Sequence, residues 1–283
     1  MNRYRIAWLG AVLMILGAAR VIPDPGSGGE APLPGDPPRG PAQRAARLFE
    51  RTHPYLAEAI RPGERLVFSV RYGPIRAGTA TIAVDGTEVV EGDTCFHYVT
   101  TAESNDFFST FFQVRDRVES FASMRDLLPR RFEKHLREGD YQRDEVVRFD
   151  QRNHLAIYDD GRIVEILPET HDVLSAFFEA RTRALRPGDV IYLECHADGR
   201  NYPLKTHVYR RERVSVPAGA FDCLVVEPML RTPGLFRHQG SLTLWLTDDA
   251  RRIPVQMKSK LPIGSIAVVL TEMQEGPALG SKE

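Results

Sequence analysis

The 283-residue chain is poor in the side chains from which most catalytic and metal sites are built. It has three cysteines, Cys95, Cys195 and Cys223, and no C-x-x-C pair. That excludes a zinc ribbon, a thioredoxin-like redox motif and a disulfide-dense scaffold, and an odd count allows at most one internal bridge. Cys195 and Cys223 are the pair best placed to join; the simpler expectation is three buried thiols acting as small apolar side chains. The eight histidines are scattered, with no two at i, i+2 or i, i+4, so no metal is expected. H-E-x-x-H, G-x-S-x-G, a phosphate-cradling glycine loop and a dinucleotide fingerprint are all missing, and no cofactor is expected. A formal net charge of -1 gives no reason to expect a nucleic-acid partner. The one long apolar run, Ile6 to Ala19, falls short of the roughly 20 residues a spanning helix needs.

That run follows Arg3 and Arg5 and ends in small residues, the pattern of a secretory signal peptide over 1–19. Cleavage would leave a periplasmic or secreted protein with no membrane span; without it the run would tether the chain to the inner membrane. Residues 20–44 read as a Pro/Gly-rich linker, since 12 of the 19 residues from Pro23 to Pro41 are Pro or Gly. Residues 45–275 read as a single β-rich domain opened by a short helix broken before Pro54, and 276–283 as a flexible tail.

Within the domain, period-2 alternation recurs with a turn about every ten residues. "ERLVFSVRY" puts Leu66, Phe68 and Val70 on one face. Turns are predicted at Asp85-Gly86, Gly139-Asp140, Asp160-Gly161 and Asp198-Gly199. One segment differs. "HDVLSAFFEARTRALRPGD" predicts a helix over 172–186, with Asp172 as N-cap, Arg181 at the edge of a broad apolar face and Pro187-Gly188 as its stop. The expected fold is mainly β: a curved antiparallel sheet or open barrel of about a dozen strands, with the helix packed on its concave face.

The carboxylates that could pair across a cleft as glycan-cleaving groups are Asp106, Asp116, Glu119, Asp248 and Asp249. Asp248-Asp249 reads as a turn. Asp116 shares a strand face with Val114 and Val118, so it should be partly buried and need a cation, with Arg181 or a strand arginine as partner. "NDFFSTFFQV" contributes Phe107, Phe108, Phe111 and Phe112, and the helix adds Phe177 and Phe178. Six rings need a shared interior, either as plain core or as the lining of a cavity for an apolar ligand.

The succession "GERLVFSVRYGPIRAGTATIAV", "FFQVRDRVESF", "VVRFD", "DVLSAFFEAR", "PAGAFDC" and "LTLWLTDDARRIPVQMKSKLPIGSI" resembles the bacterial "domain of unknown function 3108" family over about residues 61–273. The resemblance implies an exported envelope protein with a mostly antiparallel β fold, and supplies no catalytic residue. Three functions follow as expectations. The first is a non-enzymatic binding or carrier module for a hydrophobic or envelope-derived ligand, the second an enzyme acting on envelope glycan or lipid, and the third a structural partner within an envelope protein complex.

Overall fold

The computed structural model describes residue 49 and residues 52–229, 242–260 and 264–277. The segments read as signal peptide and linker lie outside the described residues, as does most of the tail.

Fifteen strands form one sheet in the order β8-β7-β6-β5-β4-β3-β2-β1-β15-β14-β13-β12-β11-β10-β9. In chain order they are β1 (Arg65–Tyr72), β2 (Ile75–Val90), β3 (Asp93–Ser104), β4 (Arg115–Ser123), β5 (Pro129–Glu138), β6 (Tyr141–Asp150), β7 (Leu155–Tyr158) and β8 (Ile163–Glu165). Then come β9 (Thr170–His171), β10 (Val190–Ala197), β11 (Arg200–Val216), β12 (Gly219–Met229), β13 (Leu242–Thr247), β14 (Pro254–Lys260) and β15 (Ser265–Gln274). Every pairing is antiparallel except β9 with β10. First and last strands lie side by side at the centre of the sheet, so its free edges come from the middle of the chain.

Among the described residues three short helices accompany the sheet: α1 (Leu56–Ala59), α2 (Asp106–Ser109) and α3 (Val173–Thr182). The helix α3 is the predicted one, and the Asp172 side chain accepts from the N–H groups of Leu174 and Ser175 as an N-cap should. It stops at Thr182 rather than before Pro187, because Arg183 is extended and the Thr182 carbonyl is taken by the N–H of Tyr55. The contact that ends it comes from a segment more than a hundred residues away.

The sheet curls because its ladders slip. Register shifts fall at Val67/Phe68, Val70/Arg71, Phe121/Ala122, Val208/Arg210 and Trp245/Leu246. Each such irregularity adds twist and bends its strand. The turn expected at Asp85-Gly86 is another of these: β2 runs on to Val90, its register with β3 shifts between Val84 and Thr87, and the chain reverses at Glu91-Gly92. Gly78 is required where β2 and β3 converge, since a Cβ there would overlap the Glu103 carbonyl oxygen. The three cysteines are free and buried; Cys195 on β10 and Cys223 on β12 are separated by β11.

The two sheet edges meet through side chains. Gly199 N–H donates to the Tyr158 hydroxyl at 2.7 Å, and that hydroxyl donates to His196 Nε2 at 2.7 Å. His196 Nδ1 donates to Asn201 Oδ1 at 2.6 Å, and Asn201 Nδ2 donates to the Glu165 carbonyl at 2.7 Å. Every donor in this chain finds an acceptor only if His196 is neutral, and burial lowers its pKa accordingly. Buried Lys134 on β5 and half-buried Arg143 on β6 both reach Asp198 in the same turn, at 2.6 and 2.9 Å. The result is an open barrel bolted along its seam.

Strand direction defines two rims. One carries the turns at 73–74, 139–140, 159–162 and 198–199 and the segment 105–114. The other carries α1, 61–64, 91–92, 151–154 and 248–253. The C-terminal end of α3 plugs this second rim: Arg181 is bound to Glu64, and the Leu185 carbonyl to Arg252.

Candidate functional site

One face of α3 carries Val173, Ala176, Phe177 and Ala180, at i, i+3, i+4 and i+7, and this face looks into a cavity. The opposite wall is the inward face of β10 to β14. Alternation places Leu242, Leu244 and Leu246 of β13 on that wall, with Met257 of β14 beside them. The non-atom space measures about 1100 Å³, part of it open to solvent. It runs from the helix toward Pro228 and Leu242, which stand at the first rim. Among the described residues no lining side chain carries an acid, an amine or a guanidinium; polar side chains come from Thr100, Thr206 and Tyr202. Burial pushes the Tyr202 phenol well above its ordinary pKa, so it stays neutral. Such a wall can hold an apolar molecule and orient it with a few hydroxyls.

Of the six phenylalanines expected to share an interior, Phe177 alone lines this cavity. Phe178 faces the other way, wholly buried, stacked on Tyr98 of β3 with ring centroids 3.8 Å apart and with Arg181 over its other side at 5.2 Å. The remaining four sit on the β3–β4 connection at the first rim. Asn105 caps the single turn α2 by accepting from Phe108 N–H, which sends Phe107 and Phe111 outward at 62% and 73% exposure. Phe108 and Phe112 are half-buried, and the Phe112 ring lies against Gly139. The spacing i, i+1, i+4, i+5 makes a helical turn at a hairpin tip, so its rings diverge instead of converging. The cavity lining that sequence reading missed, on β12 and β13, was written in the alternation of "LTLWLT", which reads equally as packed core.

Asp116 and Arg181 are both buried, and they are not partners. Arg181 is fully buried and binds Glu64 through two nitrogens, at 2.8 and 3.0 Å. Asp116 accepts from the Arg137 backbone N–H at 2.9 Å and faces the carboxyl of Glu138. Burial raises Asp116 to about 6 against the pull of that N–H, and burial together with the Asp116 charge raises Glu138 to about 8. The cation expected beside Asp116 is replaced by a second acid that keeps its proton.

Two constellations have the look of chemistry. His171 Nδ1 lies 3.2 Å from Ser175 Oγ, and the other ring nitrogen contacts Glu179. The serine hydroxyl donates to the Asp172 carbonyl at 3.1 Å, so its proton is not directed at the imidazole. Burial alone would raise Glu179, but hydrogen bonds from His171 and His53 and the charge of Arg183 hold it far below the carboxylate range. Ser175 and His171 are buried on the side of α3 away from the cavity, so the cluster anchors the helix. On the outer face, ligand atoms of Glu119, Glu133 and His135 fall within 4.8 Å of one another. Their donors are already engaged: Glu119 by His97 and Arg117, Glu133 by Arg131 and His135 by Asp144. Asp249 caps its turn, accepting from Thr247 and from the N–H groups of Arg251 and Arg252.

A sequence model of the family described as "Protein of unknown function (DUF3108)" matches residues 67–271. No curated protein matches the chain. Among solved structures, a beta-barrel-like protein of domain of unknown function DUF1849 from Brucella abortus shares 8% identity, with a TM-score of 0.49 over 77% of this chain and 100% of that one. A protein with a YmcC-like fold from Bacteroides fragilis shares 12% identity, with a TM-score of 0.35 over 76% of this chain and 97% of that one. The protein CT021 from Chlamydia trachomatis shares 8% identity, with a TM-score of 0.34 over 81% and 96%.

Proposed function

This chain belongs to the DUF3108 family of proteins of unknown function, and from the interior of its sheet we propose that it is a non-enzymatic binding or carrier module of the bacterial cell envelope, taking an apolar or envelope-derived ligand into the cavity beneath α3. The carrying observation is the lining. Nineteen described residues from one helix, the loop after it and seven strands converge on the space, and none of them has a charged side chain. A cavity of this size walled by Leu, Ile, Val, Phe and Met is poorly hydrated, and filling it recovers contacts that the lining otherwise lacks.

The magnitude favours chain-like ligands. Each methylene removed from water contributes about 0.8 kcal/mol. Against that stand association costs on the order of 4–15 kcal/mol. A long acyl chain therefore binds and a short one does not. Export to the envelope is supported by the basic and apolar start of the chain and its Pro/Gly-rich continuation.

Native mass spectrometry of the protein purified from its own envelope tests this. The expected result is a non-covalent adduct, extractable into organic solvent, at about one per chain. Empty protein that also takes up no fluorescent fatty-acyl probe overturns the reading.

A further inference from the structure

The rim at which Pro228 and Leu242 of the cavity wall stand carries an exposed aromatic tip. At its edge stand the exposed side chains of Phe107, Phe111, Ile75 and Tyr141, each 44–73% exposed. Phe107 and Phe111 pack edge-on at 5.5 Å, so they form one projecting aromatic tip rather than two isolated rings. That tip is held rigidly. Asn105 N–H donates to the Ala77 carbonyl and Asn105 Nδ2 to the Arg76 carbonyl, at 2.9 and 2.8 Å, tying α2 to the β1–β2 hairpin that carries Ile75. A solvent-facing aromatic pair on a fixed loop gains nothing for folding, and exposed apolar tips of this kind mark a surface that meets something apolar.

The charge around the tip says what. Arg71, Arg76, Arg115, Lys258 and Lys260 are exposed and stand at the neighbouring ends of β1, β2, β4 and β14. Among the described residues none of the five has a carboxylate partner; Arg71 reaches the Pro74 carbonyl and Arg76 the Thr79 hydroxyl. Farther along this rim Arg143 and Arg162 are held by Asp198 and Asp160, so the cations without an acid are gathered around the tip. Exposed carboxylates beside the tip are Glu103, Asp106 and Asp140, with Asp159 and Asp160 farther along the rim. A protein partner would need complementary acids and a shaped pocket; aromatic tips ringed by unpaired cations match the layered chemistry of a bilayer, apolar below an anionic headgroup zone.

We infer that this rim docks on a phospholipid bilayer containing anionic headgroups, with Phe107 and Phe111 entering the interface and the arginines and lysines around them meeting lipid phosphates. The inference rests on the cavity reading above and deepens it: the ligand's source is the bilayer on which the Pro228 and Leu242 end of the cavity is laid. No helix among the described residues is long and apolar enough to cross a membrane.

The test reads the rim itself, so that the apolar N-terminal segment does not confound it. Phe111→Cys in the full chain is labelled with an environment-sensitive nitrobenzoxadiazole dye; the native cysteines are buried. Val89→Cys, 68% exposed on the opposite rim, is the control. On adding vesicles of phosphatidylglycerol and phosphatidylethanolamine, the dye at 111 brightens several-fold and shifts to the blue while the dye at 89 does not. Pure phosphatidylcholine vesicles require at least tenfold more lipid, and so does the R71E/R76E/R115E variant with the mixed vesicles. No response at 111, an equal response at 89, or a response at 111 that follows protein concentration without vesicles overturns the inference, the last identifying a second copy of the chain as the occupant. Uptake of an apolar fluorophore from vesicle-free buffer is measured in parallel. It survives in Phe107→Ser/Phe111→Ser if the cavity binds ligand, and its absence in the unmodified protein sinks the cavity reading while leaving the docking result standing.

Discussion

Arg181 of α3 grips Glu64, the residue before β1, through two nitrogens at 2.8 and 3.0 Å, and both side chains are buried. The pair spans 117 positions of sequence and joins the mid-chain helix to the start of the sheet. Removing one partner leaves an unpaired charge in the interior. Glu64→Ala should lower stability by about 3–5 kcal/mol in urea unfolding. Replacing both, Glu64→Leu with Arg181→Met, should restore most of that loss, since apolar groups of similar volume need no partner. A double variant no better than the single one would show that the pair does more than neutralise itself.

The Asp116–Glu138 pair predicts a stability that falls as pH rises. Folded carboxyl pKa values of about 6 and about 8 lie above those of the unfolded chain, so between roughly pH 4 and pH 8 the native state binds more protons than the unfolded one. Stability therefore declines through that window and levels off above it. Asp116→Asn removes the like charge, still accepts from the Arg137 N–H and flattens the slope. It should gain on the order of 1–2 kcal/mol over the unmodified protein at pH 8 and little at pH 4. Urea midpoints at the two pH values decide; an unchanged slope would mean the two acids do not share a proton.

Ala180 faces the cavity from the last turn of α3. Ala180→Phe adds a ring where there is already room, so it should keep or slightly raise the melting temperature and abolish binding of a long-chain acyl probe. Retained binding with retained stability would place the ligand elsewhere.

The seam depends on the Tyr158 hydroxyl, which accepts from Gly199 and donates to His196. Tyr158→Phe strands both, at a cost of about 1–3 kcal/mol. Hydrogen exchange should show the loss first at β7, β8 and the β10–β11 turn, because local opening starts at the sheet's two free edges. Uniform loss of protection across the sheet would deny the seam its separate role.

What could be read from the chain alone was periodicity and punctuation. Alternation announces a strand wherever it occurs, which is why an antiparallel, strongly curved sheet with one mid-chain helix capped by Asp172 was legible before any coordinates. A side chain's direction within its own strand was legible too: Asp116 is inward because Val118 is. Which inward residues meet was not. Arg181 and Asp116 are both buried yet serve different partners, and the four phenylalanines at 107–112 spread over a hairpin tip while leucines far along the chain line the cavity. Local pattern sets secondary structure and facing, because those depend on neighbours within a few residues. Partners, the helix's end at Thr182 and the hollow beneath it depend on sheet register, bulges and closure, which sum contributions from the whole chain, and those the tertiary structure alone decided.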